Sequence, residues 1–141
     1  MGVSDLPVTA LEPSQACAMT RRDISDVRRW HRQAALRARD IGFDIVYVYA
    51  GHDLTLGMHF LSRRYNRRSD EYGGSLTNRL RLTQELLEDT REAVGDRCGI
   101  AFRFAVDELL GSEGWALVAE GRDGLCNTSD ACAEQAWGAP R

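Results

Sequence analysis

A chain of 141 residues, 43% of them apolar and 28% charged, has the makeup of one soluble globular domain, and its formal charge of −3 leaves no footprint for a polyanion such as nucleic acid. No stretch approaches the roughly 20 apolar residues of a membrane span, and the start, MGVSDLPVTALEPSQ, lacks the basic head and apolar centre of a secretion signal. A cytoplasmic protein with no nucleic-acid or membrane partner is expected.

Residues 1–19 carry two of the three prolines and no sustained period, so they are expected to form an extended opening segment. Thr20 then starts a helix. Asp23 completes a capping box, standing in for the usual Glu, and Ile24, Val27, Trp30, Ala34, Ala38 and Ile41 recur at helical spacing until Gly42. The run Phe43–Tyr49 is short, β-branched and aromatic, as expected of a strand buried on both faces of a parallel sheet. A long polar connection follows, AGHDLTLGMHFLSRRYNRRSDEYGGS, broken by an apolar patch at Leu56, Met58, Phe60 and Leu61. Loops of that length are usually functional or disordered, and the apolar content speaks against disorder. Ser75 is placed to cap a second helix with a stripe of Leu76, Leu80, Thr83, Leu87, Thr90 and Val94; Gly95 closes it, and CGIAFRFAV reads as a second strand.

Helix, strand, loop, helix, strand makes this an α/β chain built around one βαβ unit, right-handed and parallel, as found in doubly wound sheets and in (β/α) barrels. In a barrel, chemistry gathers where strands end, and Tyr49, His52 and Arg103 all fall at such ends. Taken singly, these residues have plainer readings. Tyr49 would be a half-buried tyrosine with its hydroxyl in water, His52 a loop residue, and Arg103 the partner of Asp107 or Asp44. His31 and His59 read as structural. The four cysteines, Cys17, Cys98, Cys126 and Cys132, form no C-x-x-C pair, which supports neither a zinc nor an iron–sulfur site; Cys98 reads as a small core residue. The arginines of 21–39 and 63–68 alternate with acidic residues and read as solvated faces.

The loop also carries a denser pattern. Asn66, Arg68, Asp70, Gly73, Gly74, Ser75, Asn78 and Arg79 spell N-x-R-x-D-x-x-GG-S-x-x-NR. This resembles the signature of the Old Yellow Enzyme superfamily, the FMN-dependent NADH:flavin oxidoreductases, over about residues 20–114. DIVYVYAGH followed by AFRFAVDELLG is most similar to its trimethylamine/dimethylamine dehydrogenase and N-methylproline demethylase branch.

The resemblance implies a partial (β/α)8 barrel, with an opening segment at 1–19, the FMN-oxidoreductase piece at 20–114 and a divergent, poorly ordered tail at 115–141. It implies FMN as cofactor and a small N-methylated amine as substrate, with Tyr49 and His52 facing that substrate and Arg103 reaching the flavin's N1/O2 edge. It implies for Asp70, Gly73, Ser75, Asn78 and Arg79 an architectural role, since the family holds its phosphate elsewhere. An NAD(P)H-dependent ene-reductase and a catalytically silent barrel piece are the alternatives. With about two of eight strands, the chain alone is expected not to hold FMN.

Overall fold

The structure is a computed structural model that describes residues 1–8, 14–51 and 55–105. Strands β1 (Leu6–Val8) and β2 (Ser14–Ala16) pair antiparallel, with Leu6 opposite Ala16. Helix α1 (Arg21–Ile41), strand β3 (Ile45–Ala50), short helix α2 (Leu56–Leu61), helix α3 (Leu76–Val94) and strand β4 (Gly99–Phe104) follow. β3 and β4 are parallel neighbours, in register from Ile45–Gly99 to Ala50–Phe104. With α3 as the crossover they form the expected βαβ unit.

Local chemistry sets the boundaries. Thr20 Oγ1 accepts from the Asp23 amide and the Asp23 carboxylate accepts from the Thr20 amide at 2.8 Å, so the capping box is complete. The Thr20 hydroxyl also donates to the Asp23 carboxylate at 2.7 Å, and this bond, with the one from the Thr20 amide, holds the Asp23 carboxyl below its usual range. Gly42 ends α1 in the left-handed region at φ 98°, its amide reaching back to Ala38 and Arg39. Ser75 caps α3 by accepting from the Asn78 amide.

The core joins Val3, Met19, Ile24, Val48, Phe60, Tyr72, Leu82 and Leu86, so residues beside the N-terminal strand pair are part of it. A second cluster of Ala35, Ala93, Val94 and Cys98 sits near the start of the sheet. Cys98 is buried, as its sequence context implied, with its thiol donating to the Phe43 carbonyl at 3.0 Å.

Three expectations change. The apolar patch after the first strand is helical. α2 has only six residues, too few for a period to show. The α1 stripe is rotated: Ile24 and Ala35 are buried, but Trp30 and Ile41 are exposed. The seam between α1 and α3 is polar where the apolar pattern pointed elsewhere. Arg28 forks onto Asp89 at 2.7 and 2.9 Å and also reaches Glu85, which accepts from the Tyr72 hydroxyl. Lastly, β3 is not covered on both faces. Val48 and Ala50 are buried, whereas Ile45 and Tyr47 are 52% and 61% exposed, because among the described residues the helices lie against one side of the sheet.

His31 belongs to the same seam. The Thr90 hydroxyl donates its one proton to the Leu86 carbonyl at 2.7 Å, so its oxygen is left to accept from His31 Nε2–H at 3.0 Å. Burial lowers the His31 pKa, with Asp89 opposing. The folded state therefore binds fewer protons than the unfolded one below the usual histidine pKa of about 6.5. Stability is complete above that pH and falls as the pH drops through the depressed folded value. The melting temperature is expected to fall between pH 7.5 and 5.5, and His31→Gln should flatten that slope.

Among the described residues, no helix is long and apolar enough to cross a membrane.

Candidate functional site

A parallel strand pair brings two C-terminal tips side by side, and here Tyr49 and Arg103 are direct cross-strand partners. Registered residues of parallel strands point to the same face. Val46, Ile100 and Val48 pack against the helices. Ile45, Tyr47 and Tyr49 alternate with them, and with Ala101 and Arg103 they make the opposite, open face. At its tip the Arg103 guanidinium lies over the Tyr49 ring, 5.5 Å from the centroid. Tyr49 is 36% exposed, so it offers a phenol at a rim with a fixed cation beside it. Gly51 helps to aim that ring, because a Cβ there would stand 3.1 Å from Tyr49 Cε2.

The structure thus brings Tyr49 and Arg103 together. His52 lies outside the described residues, as does Asp107. His31 bonds Thr90 in the helix seam, and the His59 ring lies 4.8 Å from that of Tyr65. Among the described residues there is no group of three His, Cys, Asp or Glu that could hold a metal ion.

The signature segment forms a hydrogen-bonded lock. Arg68 forks onto Asp70, and Asp70 accepts from the Tyr72 amide. The Asp70 carboxyl is held low chiefly by the Arg68 bond. Asn78 Nδ2 donates to the Gly73 carbonyl at 2.9 Å, and Arg79 donates to the carbonyls of Leu61 and Gly74. Two members of the pattern do more than their spacing indicated. Asn66, 7% exposed, donates to the carbonyls of Phe60 and Tyr72. Arg68 also donates to Val3 and Met19, tying the N-terminal segment to the loop. The available signal was chemical: a buried amide or guanidinium inside a loop must find carbonyls to serve.

Comparison with known proteins fits this arrangement. Residues 3–120 match the NADH:flavin oxidoreductase / NADH oxidase family. The chain belongs to that family. Its members are FMN-dependent flavoproteins, and the fold here is part of their (β/α)8 barrel. The dimethylamine dehydrogenase of Hyphomicrobium sp. is 46% identical over 102 residues, 70% of this chain and 14% of that protein. The NADH oxidase of Thermoanaerobacter brockii is 36% identical over 109 residues, 77% of this chain and 16% of its own. The structure of histamine dehydrogenase from Rhizobium sp. 4-9 superposes with a TM-score of 0.77 at 44% identity, over 82% of this chain and 17% of that one. The chain therefore spans about one seventh of the length of those curated relatives.

Proposed function

We propose that this chain supplies the substrate-facing strand tip and a flavin-facing arginine of an FMN-dependent oxidoreductase that demethylates a small N-methylated amine. The observation that supports it is the register of Tyr49 with Arg103 on the open face of β3 and β4, the guanidinium 5.5 Å from the phenol ring. That rim suits one end of a flavin: the phenol stands where a substrate would meet the ring, and the cation over it suits an electron-rich ring edge. FMN, when bound, supplies the hydride acceptor.

The protein's own groups do the rest. The Tyr49 phenol and the His52 imidazole hydrogen-bond the amine nitrogen and manage its proton, so that the nitrogen lone pair is free when hydride leaves the neighbouring carbon. Arg103 holds positive charge where negative charge grows on the ring edge, and a preorganised cation does so without reorganising at the moment of reaction. Two named amine dehydrogenases among the similar proteins favour an amine over an alkene.

The test is a chimera in which residues 20–105 replace their counterpart in the Hyphomicrobium dimethylamine dehydrogenase. Anaerobic bleaching of its flavin by a secondary methylamine is the expected result. Bleaching by NADPH alone, with reoxidation by an enone, would assign the ene-reductase reading. A colourless chimera would assign the catalytically silent one.

A further inference from the structure

Helix α2 follows the strand tip, and both its ends are held. At the C-terminus, where helix carbonyls have no partner of their own, Phe60 O accepts from Asn66 Nδ2 at 2.6 Å and Leu61 O from Arg79 Nε at 2.7 Å. Asn66 and Arg79 are 7% and 8% exposed, so these bonds form away from water, and the Arg79 charge also suits the negative end of the helix. The same two side chains reach the carbonyls of Tyr72 and Gly74, which anchors them to the loop before α3. At the N-terminus Thr55 caps through the Met58 amide. Gly57 there lies so close to the buried Ala50 that a Cβ on it would fall 2.9 Å from the Ala50 Cβ.

α2 rises only about 9 Å, six residues at 1.5 Å each, so a shift at one end is delivered to the other. We infer that Asn66 and Arg79 are positioning residues: by clamping the last carbonyls of α2 they hold its Thr55–Gly57 end against Ala50, beside Tyr49. They thereby steady the strand tip at Ala50 and with it the neighbouring Tyr49. The consequence for the reaction rests on the reading above, which gives Tyr49 its role at that rim.

The experiment uses the 141-residue protein without flavin, labelled for amide exchange and for tyrosine and histidine ring resonances. In Arg79→Gln and Asn66→Ala, the His59 and Ser62 amides, which donate to Thr55 O and Met58 O, should exchange about tenfold faster or more. The Ile24 amide, in α1, should stay within about twofold of its original rate. The Tyr49 ring resonances should move while the His31 ring resonances do not. Arg79→Lys should restore part of both effects. Gly57→Ala, which pries at the other end with the clamp intact, should move Tyr49 in the same way. Faster α2 exchange with Tyr49 unmoved would overturn the inference, as would no change in α2 exchange. Where Arg79→Gln fails to fold, Arg79→Lys and Gly57→Ala decide by the same readouts. Arg97→Ala, exposed before the far end of β4, should leave both readouts unchanged, and the flavin reading is tested separately by FMN titration of the chimera, so the two failures are distinguishable.

Discussion

Gly73→Ala is expected to cost more than about 3 kcal/mol, enough to unfold a domain of ordinary stability. A Cβ at Gly73 would fall 2.0 Å from the Arg68 carbonyl oxygen and 2.6 Å from its carbon. These are backbone atoms and cannot swing aside. Relaxation is blocked on either side, since the Gly73 amide donates to Asp70 O at 3.0 Å and the Gly73 carbonyl accepts from Asn78. Gly74, its neighbour, gives the contrast. It has φ +80° and nothing within 4 Å of an added methyl, so Gly74→Ala meets only the left-handed penalty of about 1–2 kcal/mol. Urea denaturation of the two variants should rank them in that order. Equal midpoints would mean that the loop does not close over Arg68.

In the chimera carrying residues 20–105, Arg103→Ala should weaken FMN binding about ten- to a hundredfold and lower the flavin potential. The range follows from losing a charge-assisted contact of about 1.5–3 kcal/mol, where 1.4 kcal/mol is a factor of ten. Removing a cation raises the energy of the electron-rich reduced ring more than that of the oxidised one. The potential falls by the difference between those two losses, about 30 mV for each 1.4 kcal/mol in a two-electron couple. Tyr49→Phe keeps the ring under the guanidinium and removes only the hydroxyl, so it should slow bleaching by the amine with little effect on FMN affinity.

Much of this could be read from the residues. Thr20 with Asp23, and Gly42 at the far end, bounded α1, because caps are local chemistry. The β-branched run ending at Tyr49 and the run ending near Arg103 were legible as parallel strands, since a helical crossover leaves little alternative. The fold family was legible only through Asn66–Arg79, a pattern that turns out to be a web of side chain to carbonyl bonds. What could not be read depends on distance along the chain. Arg68 meets Met19 and Val3 across 49 and 65 residues, and no local pattern announces such contacts. The polar seam of Arg28, Asp89, His31 and Thr90 was hidden because apolar periodicity marks a hydrophobic stripe and not a helix face that packs through ion pairs and hydrogen bonds. The pairing of Tyr49 with Arg103 needed the register of two strands, which α3 and its packing determine.

The central claim is that two neighbouring strand tips present a phenol and a guanidinium to one flavin. FMN titration of the chimera carrying residues 20–105, comparing Arg103→Ala with Arg97→Ala, tests it most directly. Arg97 is exposed and precedes the other end of β4, so it serves as a charge-matched control. Arg103→Ala should lose about ten- to a hundredfold in affinity while Arg97→Ala binds as the parent does. Equal affinities and equal potentials for the two variants would contradict it.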